Sequence, residues 1–198
     1  MIPATLLLQR LPERCSNFVL LTFDDGPTPG VTELAMDKLE QYNTSALFFM
    51  VGKFVEKHPE LAKSVVERGH QIGNHSFNHA PATNNISREI DMCQQTIAAA
   101  TGTVCKYYRH PEGSINPSSL LLPRMKNLQS VYWSCDPLDW DCKTEADGVE
   151  AAHRLLDNVI PGDIILLHDF ASPTLALLDI VLPELAARNL LPPSGGLL

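Results

Sequence analysis

The chain has 198 residues, 44% of them hydrophobic and 19% charged, with a formal net charge of −8 and a pI near 5.3. That length and composition suit one folded domain with a full core and exclude a disordered or membrane-embedded chain. The acidic balance argues against a nucleic-acid or anionic-membrane surface, which needs clustered Lys and Arg, so a neutral or cationic substrate is the easier partner.

The first apolar run, IPATLLLQRL, is too short to span a bilayer and lacks the basic n-region and small-residue cleavage site of a secretory signal. The expected location is therefore cytoplasmic, or outside the cell if a leader has been removed. Five cysteines (Cys15, Cys93, Cys105, Cys135, Cys142) make an odd count in no zinc-ribbon spacing and read as reduced, mostly buried thiols. A Cys135–Cys142 bridge across CDPLDWDC is the minor alternative.

From residue 18 onward, apolar strand-like runs alternate with amphipathic helix-like ones, the pattern of parallel strands joined by crossover helices. The spacing predicts strands near 18–24, 45–51, 71–74, 106–110, 130–135 and 163–168, and helices near 31–42, 59–69, 87–101, 117–127, 145–159 and 174–189. Gly69 ends the second helix, and Ser87 opens the third with Glu89 and Asp91 in its first turn. There is no repeat or internal linker, so a single domain over 1–198 is expected, with 190–198 a loose tail. Six β/α units make a small open or distorted barrel or a doubly wound sheet. Both bind ligands at the carboxyl ends of the strands.

The chemistry-bearing residues fall at those ends. Along FVLLTFD the alternation puts Thr22 and Asp24 on one face, and Gly26-Pro27 then turns Asp25 toward the same mouth. Two adjacent carboxylates stay ionised together only where a cation or an Arg offsets part of the charge. After the third strand, GNHSFNHAP spaces His75 and His79 by four; in a helical turn both imidazoles share a face, as chelation requires. Two His with one carboxylate and an open position suit a divalent cation, most often zinc, that activates water.

The fourth strand ends in YYRHPEGS, where the fork of Arg109 could hold a carboxylate, and the fifth in WSCDPLDWDC, which offers Asp136, Asp139 and Asp141 around Trp140 without choosing among them. In DIILLHDF, His168 follows Leu166 on one strand face and arrives as a potential general acid. His58, His70, His110 and His153 gain no comparable support.

Together TFDDGP, HSFNH, RHPEG, DPLDW and LLHD resemble, in order, the five motifs of the polysaccharide deacetylase family (carbohydrate esterase family 4, the NodB homology domain) over about residues 18–189. The resemblance implies a distorted (β/α) barrel with fewer than eight parallel strands and a metal-dependent hydrolase that removes N-acetyl groups from an amino-sugar glycan or oligosaccharide. By position it makes Asp25, His75 and His79 ligands of one divalent ion, zinc or else cobalt, and Asp24 the general base oriented by Arg109. His168 becomes the general acid tuned by Asp139, Leu166 and Trp140 line the acetyl pocket, and the backbone N–H after Pro111 serves the oxyanion.

Two departures bear on substrate and closure. Glu112 stands where the family carries an aromatic, which adds negative charge at the rim and favours an amine-bearing acceptor. NLLPPSGGLL is a poor final strand, so a barrel open on one side is expected. An O-acetyl esterase of the xylan type, a small-amide deacetylase and a catalytically idle metal- or glycan-binding relative stay as alternatives.

Overall fold

A computed structural model describes residues 6–81 and 85–194. Among them, seven parallel strands form one curled sheet: β1 (Leu7–Leu8), β2 (Leu20–Asp24), β3 (Leu47–Met50), β4 (Gln71–Asn74), β5 (Tyr107–Tyr108), β6 (Gln129–Val131) and β7 (Ile164–His168), in the order β1-β6-β5-β4-β3-β2-β7. The helices α1 (Thr32–Gln41), α2 (Gly52–Lys57), α3 (Pro59–Glu67), α4 (Ile86–Thr101), α5 (Pro117–Met125), α6 (Glu145–Asn158) and α7 (Pro173–Ala187) supply the crossovers. This is the distorted (β/α) barrel of fewer than eight strands.

Alternation along the strands sorts two cores. Leu20, Leu47, Phe49, Val131 and Ile164 fill the barrel interior with Leu11. Leu21, Phe23, Phe48 and Met50 pack outward under the helices. The register sets Asp24 opposite both Phe49 and His168, so the carboxyl ends of β2 and β7 are level.

Two expectations change, the strand count and the loose tail, and one stands, the barrel open on one side. β1, seven strands in place of six, comes from the N-terminal apolar run, whose two strand residues are too few to carry a period. The sheet's ends stay unpaired except for an isolated Arg10–Asp163 bridge, while the chain after β6 reaches β7 through Cys135–Ile165, so the barrel is incompletely closed. The C-terminal segment is anchored as far as Pro192: Val19 N–H donates to the Leu190 carbonyl at 2.8 Å, and Thr44 Oγ1 to that of Pro192 at 2.8 Å. Residues 195–198 of the expected loose tail lie outside the described residues.

The extra helix α2 lacks a side-chain cap at its start. Its first amides instead donate to the loop after β4, Gly52 to the Ser76 carbonyl at 3.0 Å and Lys53 to that of Phe77 at 2.9 Å. All five cysteines are free thiols, and the Cys135–Cys142 bridge is not formed.

Candidate active site

Asp24 ends β2 and is buried against Arg109, whose guanidinium donates from Nη1 to Asp24 Oδ1 at 2.8 Å and to Thr22 Oγ1 at 2.7 Å. The other side of the fork donates to the backbone carbonyls of Val131 and Tyr132, at 3.3 and 2.9 Å. Arg109 is wholly buried, its guanidinium 4.2 Å above the Phe49 ring. Phe49 finds room because the facing residue is Gly73, where a Cβ would lie 2.4 Å from the ring. Burial pushes the Arg109 pKa down, and Asp24 opposes that shift. The side chain thus presents a fixed positive charge to one carboxylate oxygen.

The chain turns at Asp25, in the left-handed region at φ 75°, and brings that carboxylate to the two histidines. Asp25 Oδ1 lies 3.1 Å from His79 Nε2 and 3.5 Å from His75 Nε2. Burial alone would raise its pKa, yet the two imidazoles hold the carboxyl well below the ordinary range. Beside Asp25, and with Asp24 and Glu112 near, the His79 imidazole is raised above its usual value.

His75 and His79 do not sit on a helix. They occupy an irregular loop after β4 in which Ser76 and His79 themselves take φ 63° and 58°, so the close approach of the rings, 5.0 Å between centroids, comes from left-handed residues rather than helical pitch. Glu89 holds the loop from α4, accepting from the amides of Phe77 (3.1 Å) and Asn78 (2.7 Å). Sequence reading gave Glu89 only a helix-end role.

One ligand atom each from Asp25, His75 and His79 lies within 4.8 Å of the others, a spacing that can hold a metal ion. Two observations fit that use. Asp25 Oδ1 is buried and accepts no hydrogen bond. His75 Nδ1 is 2.9 Å from the Arg109 carbonyl; a proton there leaves the lone pair on Nε2, which faces Asp25.

Across the mouth, His168 ends β7. Its Nδ1 is 2.8 Å from Asp139 Oδ1, and Asp139 Oδ2 accepts from the His168 amide and from Thr174 Oγ1, each at 2.8 Å. Burial works against a charged imidazole, but Asp139, with Asp24 and Asp25 beyond, raises its pKa to about 9. Of the three aspartates around Trp140, Asp139 meets the histidine, Asp136 faces the cavity and Asp141 stays exposed beside Lys143.

These groups open into one cavity of about 390 Å³. Leu166 and the half-exposed Trp140 line it, and so does Glu112, at φ 55° in the short turn that Pro111 begins. Trp133, Gly113 and Asp136 line it as well. Trp133 was hidden inside the expected strand 130–135, but β6 stops at Val131, which frees the indole to turn to the mouth. Gly113 was the available signal: at φ 61°, a Cβ there would lie 2.8 Å from the Trp133 ring. Asp169, also unassigned from sequence, is fully buried behind Asp25, and burial lifts its pKa to about 7.

A curled β/α barrel with an Asp-His-His cluster and two partnered carboxylates at its carboxyl-end mouth is the class that fold and site define. The chain belongs to the polysaccharide deacetylase family: the family model for polysaccharide deacetylase matches residues 12–131. A Bacillus cereus peptidoglycan-N-acetylglucosamine deacetylase is 37% identical over 183 residues, covering 86% of this chain and 83% of its own. A chitooligosaccharide deacetylase of Azorhizobium caulinodans is 33% identical over 191 residues, covering 86% and 89%. The crystal structure of the Bc1960 peptidoglycan N-acetylglucosamine deacetylase superposes with a TM-score of 0.87 at 28% identity, over 96% of this chain and 94% of that one. Among the described residues no helix is long and apolar enough to cross a membrane.

Proposed function

We propose that this chain, as a single catalytic domain, is a metal-dependent hydrolase that removes N-acetyl groups from an amino-sugar glycan or oligosaccharide. The observation that carries the reading is that the Arg109-held Asp24, the Asp25-His75-His79 cluster and the Asp139-held His168 share one cavity. Both relatives named above are deacetylases of N-acetylated glycans, which supports the same chemistry here.

Asp25, His75 and His79 would hold one divalent ion, zinc or else cobalt, whose chemistry is to acidify water and polarise a carbonyl oxygen. Asp24, oriented by Arg109, takes the proton from the attacking water. The amide N–H of Glu112, after Pro111, donates to the oxyanion as it develops. His168 protonates the departing amine, and Asp139 holds its ring with the second nitrogen toward the cavity. Leu166 walls the acetyl methyl, and Trp140 and Trp133 offer flat faces to a pyranose ring. Glu112 at the rim favours acceptors that carry a free amine.

The test is acetate release from N-acetylated oligosaccharides, small amino sugars and acetylated xylan, using protein stripped of metal and resupplied with zinc or cobalt. Metal-dependent acetate from the oligosaccharides is expected. Release from xylan alone would make the protein an esterase, and none from any member with metal bound would make it an idle binder. Asp24→Asn should retain metal and lose about 10²–10⁴-fold in kcat, whereas His79→Ala should lose metal and turnover together. An Asp24→Asn enzyme as fast as its parent would sink the mechanism.

A further inference from the structure

Asp169 is buried to 1% exposure directly after His168, yet no step above uses it. Its surroundings are specific. The amide N–H of Asp169 donates to the Asp24 carbonyl at 3.2 Å, and its Oδ2 accepts from Thr32 Oγ1 at 2.5 Å. Thr32, itself fully buried at the start of α1, accepts at the same oxygen from the Thr28 amide at 2.8 Å. Thr32 thus relays the Thr28 amide to Asp169, whose carboxylate is the acceptor of the hydroxyl proton.

The carboxylate also fills the space that a side chain at Gly26 would take. A Cβ on Gly26 would lie 2.3 Å from both Asp169 oxygens, so the backbone immediately after Asp25 rests on this carboxylate. On its far side the Gly26 carbonyl accepts from the Val51 amide at 2.9 Å. The turn is thus held between β3 and Asp169, with Asp25 at φ 75° just before it. A non-glycine residue keeps such a conformation only where its surroundings over-determine it.

We infer that Asp169, acting with Thr32 through the backbone of Gly26, is a positioning residue that aims the Asp25 carboxylate at His75 and His79. The inference rests on the metal-site reading of those three residues. Gly26 is required because the carboxylate needs contact with bare backbone; Thr32 is required because it ties that carboxylate to Thr28, two residues past the glycine.

The experiment is direct cobalt(II) titration of the metal-free protein, with the visible absorption spectrum recorded, for the parent, Thr32→Val, Asp169→Ala and Asp169→Asn, with thermal melting alongside. Asp169→Ala should weaken cobalt at least tenfold and alter the spectrum. Thr32→Val, which keeps shape and loses the hydroxyl that donates to Asp169 and accepts from Thr28, should weaken it three- to tenfold. Asp169→Asn, which keeps an acceptor for Thr32, should restore affinity to within about threefold of the parent. Parental affinity and spectrum in both Asp169→Ala and Thr32→Val, whatever their melting temperatures, would overturn the inference; if Asp169→Ala does not fold, Thr32→Val decides it.

Failure of the underlying reading is separately visible, because a parent that binds cobalt no better than His79→Ala has no metal site there. Metal-free crystal structures of the parent and Thr32→Val then decide positioning. An Asp25 Oδ1 to His79 Nε2 distance that opens clearly beyond 3.1 Å supports it, and an unchanged distance refutes it.

Discussion

Two carboxylates serve the same cavity, Asp24 lining it and Asp139 buried behind His168, each held by a basic partner, and the partners differ in one property. Asp24 on β2 is bound by Arg109, which cannot lose its charge at any physiological pH; Asp139, before α6, is bound by His168, which can. In the first pair the guanidinium is sealed in the barrel interior, with Phe49 beneath it, and only the carboxylate reaches the cavity. The second sits at the mouth, where His168 keeps partial access. A permanent cation leaves its carboxylate an acceptor, suited to taking a proton; a titrating partner becomes the proton carrier itself. The same acid side chain thus serves opposite ends of a proton transfer.

The largest effect should come from breaking the sealed pair. Arg109→Met leaves Asp24 buried without its counter-charge, and denaturant unfolding should show a loss of about 3–5 kcal/mol with activity falling in parallel. A loss below ~1 kcal/mol would mean that the Arg109–Asp24 pair is screened like a surface ion pair and that the two pairs are alike.

The mouth pair should respond in pH more than in stability. With the His168 pKa raised to about 9, its acid form persists through neutrality and the basic limb of the rate profile should lie near that value. Asp139→Asn removes the raising charge, so that limb should move down toward the ordinary histidine value of about 6.5, with kcat at pH 8 falling roughly thirtyfold. An unmoved limb would assign the proton to another group.

The smallest effect separates the site from histidines that serve only the fold. His70 accepts the Ala46 amide on Nδ1 at 3.2 Å, and His110 packs edge-on to Tyr108; burial lowers both pKa values to about 4. Their folded values are depressed, so below pH 6.5 the unfolded chain takes up protons that the native state refuses until about pH 4. The contribution of these two groups should be full above 6.5 and decline across that window, read as a falling melting temperature. Replacing both histidines with neutral residues should flatten the decline without shifting the basic limb of the rate.

The elements most legible in the sequence were those with a long period and a charged stop. FVLLTFDD and DIILLHD announce strands that end in chemistry, and β2 and β7 end at Asp24 and His168. The short pieces were illegible for physical reasons. β1 has two residues, α2 lacks a side-chain cap, and each is stabilised by what it packs against. The four-residue spacing of His75 and His79 suggested a helix because helical pitch is the simplest way to align such a pair. The chain instead uses two left-handed residues, braced by Glu89, and propensity gives no sign of that.

The sequence by itself determined the alternation that sorts barrel interior from helix-facing core, the strand-end location of the carboxylates and histidines, and the family to which those motifs belong. Only the tertiary structure decided that Asp139 also accepts from Thr174 and from the His168 amide, that Trp133 turns to the cavity, and that Asp169 lies under Gly26. Local periodicity records which face a residue takes. Pairing across strands far apart in the chain depends on register and on the exit path of each loop, and these are fixed only when the sheet curls and its core is packed.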